Sequence, residues 1–347
     1  MKYSIIVPVY NRPDEVDELL QSLCEQSCHD FEVIIVEDGS KVPCKDVCDR
    51  HTDKIDLHYF TKENGGPGQA RNYGARHAHG EYLIVLDSDV VLPTGYLQAV
   101  DEELSLHPTD AFGGPDAAHE SFTDTQKAIS YSMTSFFTTG GIRGGKKKLD
   151  KFYPRSFNMG IRKDIYHELN GFSKMRFGED IDFSYRIVEA GYQTRLFPTA
   201  WVWHKRRTDF RKFFRQVYNS GIARINLSKR HPGTMKLVHL LPMVFNVGVI
   251  ALILISAFGR AMIHYDESNW RMWRWVTIFP WIPILLYSLI IFIDSSIKNK
   301  SIKIGALSIA AAFVQLMGYG FGFLEAWWKR CVRKKDEFTA FEKNFYK

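Results

Sequence analysis

Three long apolar stretches in the C-terminal part of the chain restrict its possible folds more than any other sequence feature. They cover residues 237–258, 275–293 and 304–324 and contain almost no charged side chains. At a helical rise of about 1.5 Å per residue, each stretch is about 30 Å long, which matches the hydrocarbon core of a bilayer. Tryptophans lie near the ends of these stretches, as they do at membrane interfaces. We predict three transmembrane helices within residues 237–328; the alternative is buried helices of a large soluble protein.

A basic cluster precedes the first apolar stretch. Residues 205–236 contain ten Lys or Arg and one acidic residue, Asp209. Basic residues beside a membrane helix favour the anionic cytoplasmic leaflet. An apolar helical face in the same segment predicts an amphipathic helix in the membrane interface, formed by Phe210, Phe213, Phe214, Val217, Tyr218 and Ile222. We therefore expect a membrane partner for residues 205–236 and no nucleic acid, which explains the charge less well.

The first 204 residues have the pattern of an α/β domain. Apolar runs predict strands at residues 4–9, 31–36, 57–60 and 82–86, and segments with helical spacing separate them. Strands that alternate with helices predict a mostly parallel sheet with right-handed crossovers. The apolar run after Met1 is too short for a signal peptide, so we expect this domain to remain in the cytosol.

Polar residues follow three of these runs: Tyr10 and Asn11, then Asp38, Gly39 and Ser40, then Asp87, Ser88 and Asp89. Parallel strands bring their carboxyl ends to one edge of a sheet, where open α/β sheets bind ligands, so we expect these clusters to converge. The Asp-Ser-Asp triplet by itself could simply cap the following turn. A glycine-rich turn at residues 65–68 could offer amide groups to a phosphate, although it lacks both standard phosphate-loop sequences.

Further metal-capable side chains lie at breaks in apolar segments, namely Glu179, Asp180 and His204. Mg²⁺ or Mn²⁺ binds one or two carboxylates together with diphosphate oxygens, which gives a physical reason for acids beside a nucleotide site. The five cysteines fit a reducing compartment. Four of them, Cys24, Cys28, Cys44 and Cys48, could bind zinc, but their i, i+4 spacing favours partly buried free thiols.

An ordered set of motifs resembles family 2 glycosyltransferases, which are inverting enzymes of the GT-A fold. The motifs are S-I-I-V-P-V-Y-N-R, V-E-D-G-S, N-G-G-P-G-Q-A-R-N-Y-G-A, G-E-Y-L-I-V-L-D-S-D, N-M-G-I-R and G-F followed by G-E-D-I-D-F-S-Y-R. The resemblance covers about the first two hundred residues. It implies an α/β GT-A catalytic domain at residues 1–204, with a mixed, mostly parallel sheet and flanking helices, as in transferases of nucleotide-diphospho-sugars.

The resemblance also implies a donor site. By position, Pro8, Tyr10 and Asp38 would line the nucleotide base pocket, and Arg71 would lie near the nucleotide or its diphosphate. Asp87 and Ser88 would lie near the ribose or donor sugar, and Asp89 would bind the metal that bridges the diphosphate.

Four further residues would act on the acceptor side or on the metal. In the Glu179-Asp180 pair, the family pattern makes Asp180 the general base that deprotonates the acceptor hydroxyl. Asn158 and Arg186 could meet the acceptor or organise the base, and Arg186 could equally serve helix packing. His204 resembles the late histidine that some GT-A enzymes use as a metal ligand, but it could also belong to an aromatic cluster.

Two departures from the family pattern matter. The second motif has Glu37 before Asp38 where the family commonly has two aspartates. The Q-x-x-R-W motif of processive members is absent, since the nearest counterpart, Gln216 to Ser220, lacks the Arg-Trp pair. The sequence therefore argues against processive synthesis.

These observations predict a metal-dependent, inverting glycosyltransferase of the cytoplasmic (inner) membrane, multi-pass, with its catalytic domain in the cytosol. It would move one sugar from a nucleotide-diphospho-sugar to a lipid-linked or glycan acceptor in cell-surface polysaccharide or glycolipid synthesis. One alternative is a polyprenyl-phosphate sugar synthase, and another is a catalytically silent membrane scaffold. The donor sugar, nucleotide and linkage are not encoded in these motifs.

The location of the C-terminal tail, residues 329–347, is open at the sequence level. Three full spans would leave it outside the cell, but its Lys and Arg residues favour the cytoplasm. The third apolar stretch, which is rich in glycine, could therefore be re-entrant or tightly packed. A glycine-rich, basic segment at residues 138–150 could close over a phosphate group or form a solvated loop.

Overall fold

The computed structural model describes residues 1–117, 122–139, 152–205 and 207–341. These residues form two compact units. The first consists mainly of residues 1–117 and 152–205, and the second of residues 122–139 and 207–340. The boundary in the chain thus falls next to residue 205, and a short segment between two parts of the first unit also belongs to the second.

Ten strands are present in the described residues: β1 (Tyr3–Val9), β2 (Phe31–Asp38), β3 (Asp56–Lys62), β4 (Tyr82–Leu86), β5 (Val90–Val91), β6 (Ala111–Gly113), β7 (Asp116–Ala117), β8 (Asn158–Arg162), β9 (Thr194–Leu196) and β10 (Val202–His204). Seven of them form one sheet in the order β3-β2-β1-β4-β8-β6-β9. Strands β1 to β4 are parallel, whereas β8 is antiparallel to both β4 and β6. The sheet is therefore mixed and mostly parallel, as predicted.

The helices of the described residues are α1 (Pro13–Cys24), α2 (Lys45–Asp49), α3 (Pro67–His77), α4 (Tyr96–Leu106), α5 (Asp124–Thr134), α6 (Phe136–Thr139), α7 (Lys163–Glu168), α8 (Glu179–Glu189), α9 (Phe210–Arg230), α10 (Leu241–Tyr265), α11 (Trp270–Ile278), α12 (Ile282–Asn299), α13 (Ile302–Trp327) and α14 (Glu337–Phe341). Pro13 and Pro67 each lie in the first turn of a helix, where the missing amide hydrogen costs nothing.

Two apolar cores of the first unit lie on opposite sides of the main sheet. Along β1, Ile5 and Val7 pack in one core and Ile6 in the other, because successive strand residues point to opposite faces. All seven residues of β1 are buried. A strand that is covered on both faces has a continuous apolar sequence. The sequence pattern therefore predicted the bounds of this strand and of β4 well.

A smaller three-stranded sheet, in the order β5-β10-β7, supports the region after β4. Its central strand ends at His204 and pairs with Val90 and Val91 of β5. This pairing brings His204, a residue far away in sequence, beside the Asp87-Ser88-Asp89 turn. No local signal in the sequence predicted this second sheet.

The second unit contains three helical segments that are long and apolar enough to cross a membrane: Leu241–Tyr265, Glu267–Asn299 and Ile302–Val332. They confirm the three predicted stretches, although each is longer than predicted. In the middle segment, α11 and α12 follow one another through a short 3-10 turn at Phe279–Trp281.

Residues Phe210–Arg230 form the helix α9, and part of its apolar face packs against protein; a position in the membrane interface stays a prediction. Phe213 and Val217 are buried in a cluster with Ile304 and Ala311 of α13. Glycines of α13 allow this close approach, since a Cβ at Gly322 would lie 2.0 Å from the carbonyl oxygen of Tyr218. The third apolar stretch is thus one continuous, tightly packed helix, which is one of the two alternatives that the sequence left open.

Candidate functional site

The predicted convergence of polar clusters follows from the strand pairing. β1 pairs in parallel with β2 on one side and with β4 on the other. The carboxyl ends of these strands therefore meet at one edge of the sheet. Pro8 is buried within β1, and the exposed Tyr10 follows its end. Asp38 ends β2, and Asp87 follows β4, with Ser88 buried beside it.

Asp38 is buried and fully engaged by its neighbours. Its carboxylate accepts hydrogen bonds from the amides of Gly65 and Gly66, at 2.9 and 2.8 Å, and from Nζ of Lys62 at 2.6 Å. Two amides of the glycine-rich turn thus bind a carboxylate of the protein. These two amides are therefore not free to bind a phosphate. A ligand that uses Asp38 would meet a side chain already held in one orientation.

Asn11 ties the loops after β1 and β2 together. It has a left-handed backbone, with φ of 55°, which asparagine tolerates better than most residues. Its side-chain oxygen accepts hydrogen bonds from the amides of Lys41 and Val42, at 2.7 and 3.0 Å, and its own amide donates to Oγ of Ser40. The exposed Tyr10 therefore projects from a fixed backbone.

Arg71 on α3 links the end of β4 to the start of α8. Its guanidinium donates to Asp87 at 2.6 Å and to Glu179 at 3.3 Å, and its side chain is 3% exposed. The guanidinium also lies 5.1 Å from the centre of the Phe172 ring. Nε of Arg71 is buried and has no hydrogen-bond partner among the described residues. This cation fixes two carboxylates from different parts of the chain.

Asp89 lies between a guanidinium and an imidazole. Its carboxylate accepts from Nη1 of Arg12 at 2.5 Å and lies 3.3 Å from Nε2 of His204. Burial alone would raise the pKa of Asp89, but His204 and Arg12 outweigh burial and hold this pKa well below its usual range. Burial would lower the pKa of His204, yet its interactions with Asp116 and Asp89 raise that pKa to about 9.

Asp87, Asp89 and His204 form a candidate metal centre. Each offers one ligand atom, and these three atoms lie within 4.8 Å of one another. Two carboxylates and one imidazole suit Mn²⁺ and are compatible with Mg²⁺. Nδ1 of His204 lies 3.8 Å from Oδ2 of Asp116, so the ring proton can remain on Nδ1, toward that carboxylate, when Nε2 binds a cation. The residues therefore fit a divalent cation, with Asp87 added to the predicted pair.

Glu179 and Asp180 open α8 in contrasting environments. The helix starts after Gly178, which has a left-handed backbone with φ of 84°. Burial and the neighbouring Asp180 raise the pKa of Glu179. Burial would also raise the pKa of Asp180, but Arg155, whose Nε lies 2.6 Å from Oδ2, lowers it overall. The two environments therefore move the pKa values of the pair apart, with that of Asp180 the lower.

Asn158 and Arg186, the two predicted acceptor residues, make their contacts within the protein. Asn158 is buried, and its side chain accepts from Tyr96 at 2.6 Å and donates to the carbonyl of Ala200 at 2.9 Å. Arg186 binds the carboxylate of Asp182 and donates to the carbonyls of Leu169 and Gly171. These contacts favour the packing interpretation for Arg186, and a contact of either residue with an acceptor stays a prediction.

Sequence reasoning missed two arginines of the site. Arg12 was inside the first quoted motif but received no role, although it binds Asp89 across 77 positions of sequence. Arg155 binds Asp180 from a segment without a recognisable pattern. Asp116, 3.8 Å from His204, was missed as well. The glycine-rich segment at residues 138–150 lies, from residue 140 onward, outside the described residues.

A second metal-capable group lies away from this edge. Glu32, Asp56 and His58 bring ligand atoms within 4.8 Å of one another. Glu32 and Asp56 lie near the amino ends of the parallel strands β2 and β3, whereas Asp38 ends β2 at the other edge. The strand directions thus separate the two groups.

Comparison with known proteins identifies relatives of the segment that carries Asp38, Arg71, Asp87 and Asp89. Residues 4–169 match the family model described as glycosyl transferase family 2. The pre-mycofactocin glycosyltransferase of Mycobacterium tuberculosis is 25% identical over 280 residues, which are 75% of this chain and 53% of that protein. The poly(ribitol-phosphate) beta-N-acetylglucosaminyltransferase TarS of Staphylococcus aureus is 38% identical over 114 residues, 32% of this chain and 20% of that protein. The chain spans about half or less of the length of these curated relatives.

Among solved structures, the mannosyltransferase PcManGT from Pyrobaculum calidifontis, in complex with GDP-Man and Mn²⁺, is similar with a TM-score of 0.57. It is 17% identical, and the alignment covers 86% of this chain and 87% of that chain. At this level of identity the similarity shows the fold, which is GT-A. The family match ends before Asp180 and His204, so the roles of these two residues stay predictions. Residues 4–169 thus match glycosyl transferase family 2, and the chain is similar to glycosyltransferases over most of its length.

Proposed function

We propose that this enzyme transfers one sugar, with inversion, from a nucleotide-diphospho-sugar to a lipid-linked acceptor at the cytoplasmic face of a membrane. The observation that carries the proposal is the pairing of two sites at one edge of the sheet. Asp87, Asp89 and His204 form a cation-binding group, and Arg71 connects it through Asp87 and Glu179 to the candidate base Asp180.

Asp87, Asp89 and His204 would hold Mg²⁺ or Mn²⁺ at the donor diphosphate. When bound, the cation would neutralise charge on the departing diphosphate. Nη1 of Arg12 donates a hydrogen bond to Oδ2 of Asp89 and would have to release this oxygen before the oxygen could bind the cation. Once released, its guanidinium is available for a phosphate oxygen, to which arginine binds well.

Asp180 is the proposed base. Its lowered pKa keeps it ionised at neutral pH, as a proton acceptor must be, and Arg155 fixes the direction of its carboxylate. It would take the proton of the acceptor hydroxyl while that oxygen bonds to the anomeric carbon. The bond from this carbon to the diphosphate oxygen then breaks, and its electron pair leaves with the nucleoside diphosphate.

Several features support a membrane-bound acceptor. Three segments are apolar enough to cross a bilayer, and the chain that joins them to the catalytic domain carries the basic cluster of residues 205–236. A catalytic domain tethered in this way works close to the cytoplasmic leaflet. We assign residues 1–204 to the catalytic domain, 205–236 to a basic segment and 237–328 to the membrane region. The similar solved structure supports a nucleotide-sugar donor, because it contains GDP-Man and Mn²⁺.

The test begins with a screen of UDP- and GDP-sugars against the purified, detergent-solubilised protein with Mn²⁺. A ligand that binds the native state raises its unfolding temperature by mass action. The selected donor is then incubated with lipid-linked oligosaccharide or with free polyprenyl phosphate, and the product anomer is determined. Inverted transfer to the lipid-linked glycan supports the proposal, whereas transfer to polyprenyl phosphate alone would identify a polyprenyl-phosphate sugar synthase.

Two variants separate the two halves of the site. Asp89→Asn removes an anionic ligand, so the Mn²⁺-dependent thermal shift with donor should disappear. Asp180→Asn should keep donor binding and reduce transfer by about 10²–10⁴-fold, because a positioned base contributes on that order. A wild-type transfer rate in either variant would contradict its assigned role.

A further inference from the structure

We propose that the third apolar helix, α13, does not cross the membrane, and that with α5 and α9 it forms a platform on the surface of the leaflet that faces the catalytic domain. The membrane is then crossed twice, by a hairpin of α10 and α11–α12. This inference rests on the proposed membrane location and settles the side on which the C-terminal tail lies.

The first observation is that the far end of α13 is bound to α9. Nε of Arg330, just after α13, donates to the buried side chain of Asn226 at 2.8 Å. Farther along, Glu337 is paired with Arg230 at 3.0 Å and is itself buried. Helix α9 begins only six residues after β10, so it must lie on the same side of a membrane as the catalytic domain. The tail beyond α13 therefore lies on that side too.

The near end of α13 is held by α5. Lys303 pairs with Asp124 at 2.8 Å, and Ile304 and Ala311 pack with Ala128 and Ile129. Helix α5 lies in the sequence between β7 and β8, two strands of the catalytic domain. Its 11 residues are too few to cross a bilayer. Both ends of α13 are thus bound to segments that the chain keeps on the side of the catalytic domain.

The composition of α9 excludes a joint crossing of α9 and α13. Helix α9 carries six Lys or Arg, of which Arg215 and Arg224 are not at its ends. A cation at the centre of a bilayer costs about 2.5–3.5 kcal/mol on insertion scales. Tyr218 of α9 also bonds to Glu325 of α13, which would bring an acid into the hydrocarbon layer. A surface position lets these charged groups reach headgroups and water.

The remaining apolar segments form the hairpin that does cross. In the most apolar part of each of these two segments, only 6% of the residues are buried within the protein. The value for the segment that contains α13 is 39%. Helix α10 starts at α13, where Asn246 donates to the carbonyl of Met317 at 3.0 Å. Helix α12 returns to α13, where Ser295 and Ser308 are hydrogen-bonded at 2.7 Å. The polar turn at 266–269 lies between them, and with 25 residues α10 is long enough to carry it across.

The distribution of basic residues agrees with two crossings. Eight Lys or Arg lie in residues 207–236, three in 298–303 and five in 329–335, all on the side of the catalytic domain in this topology. Three, Arg260, Arg271 and Arg274, lie toward the far turn. The strong excess on one side is what the positive-inside tendency requires of the cytoplasm. Three crossings would move the five basic residues of the tail to the wrong side.

The native Cys331, which is exposed, provides the test. A membrane-impermeant maleimide is applied to intact cells that express the full chain, before and after permeabilisation. Three forms are compared: wild type, Cys331→Ser as background, and Cys331→Ser with Glu267→Cys as the probe of the far turn. We expect the Glu267→Cys form to react in intact cells and wild type to exceed background only after permeabilisation.

Other labelling patterns have distinct meanings. Reaction of Cys331 from outside, together with Glu267→Cys, would show three crossings and overturn the inference. Protection of both positions until permeabilisation would show that no hairpin crosses and would also overturn it. Reaction of Cys331 alone would keep two crossings but place the catalytic domain outside, against the proposed function. Sugar transfer, measured on the same membranes, tests the proposed function separately. Active membranes in which both Cys331 and Glu267→Cys react from outside would overturn only the topology.

Discussion

Replacement of Arg71 by methionine tests whether this buried cation holds the site together. The guanidinium is 3% exposed and neutralises Asp87 at 2.6 Å and Glu179 at 3.3 Å. Removal of one partner from a buried ion pair costs about 3–5 kcal/mol, because the remaining charge stays buried and unpaired. We expect a loss near the lower value, since Asp87 is 30% exposed and water can compensate it in part. Methionine fills part of the volume beside the Phe172 ring without a charge, so the loss reports mainly on the cation.

The pKa of Glu179 determines how the loss of stability in the Arg71→Met variant depends on pH. Its pKa is already raised by burial, and Arg71 is a group that counteracts this rise. When the pKa of a carboxyl group is higher in the folded than in the unfolded protein, the ionised group destabilises the fold. For a glutamate, whose pKa in the unfolded protein is about 4.3, this destabilisation decreases as the pH falls through the pKa of the folded state. Without Arg71 the pKa of Glu179 rises further. The stability difference between the variant and wild type should therefore be largest near pH 8 and smaller near pH 5.

The assay uses the buried thiols of Cys44 and Cys48, which lie in the same unit as Arg71. With Cys24, Cys28 and Cys331 replaced by serine in every form compared, brief thiol-reagent pulses in increasing urea report the unfolding of that unit. With a slope of about 1–3 kcal/mol/M, a loss of about 3 kcal/mol lowers the urea midpoint by about 1–3 M. Arg76→Met, an exposed position on the same helix, is the matched control and should cost under about 1 kcal/mol. Equal costs for the two variants, or a difference that grows toward pH 5, would refute the reasoning.

Two other predictions concern the base and the helix platform. Arg155→Gln should raise the pKa of Asp180 and move the acidic limb of the transfer-rate profile upward by about 1–3 pH units, because Arg155 is the main group that lowers this pKa; an unmoved limb would contradict a base role for Asp180. Gly322→Ala should lower the free energy of unfolding of the detergent-solubilised protein by about 1–3 kcal/mol, because the new Cβ meets the backbone of α9. Thermal unfolding in detergent measures this loss. Gly248→Ala, where a Cβ meets nothing within 4 Å, is its control and should be neutral or stabilising by up to about 1 kcal/mol.

The strands next to the site were predictable because their signal is local. β1 and β4 are buried on both faces, so each appears as an apolar run that ends in polar residues. The parallel pairing of β1, β2 and β4 then follows from the alternation with helices, and the meeting of Asp38 and Asp87 at one edge follows from the pairing. Three apolar segments of membrane-spanning length were equally visible, because length and hydrophobicity are properties of a single segment.

The charge partners of the site were not predictable in the same way. Arg12 meets Asp89, and Arg155 meets Asp180, across gaps of 77 and 25 residues. No periodicity relates such positions, since the path of the chain between them decides whether they meet. The antiparallel β8 and the pairing of β10 with β5, which delivers His204 to the site, are likewise non-local.

The sequence by itself determined an α/β domain followed by three apolar segments, because the burial of strands and the hydrophobic length of helices are properties of consecutive residues. The resemblance of the α/β domain to glycosyltransferases came from its ordered motifs. Only the tertiary structure decided what covers each apolar face. Periodicity shows that one face of α9 avoids water, and it is the same whether lipid or protein receives that face. Gly318 and Gly322 of α13 fit against the backbone of α9, so protein covers much of this face of α9.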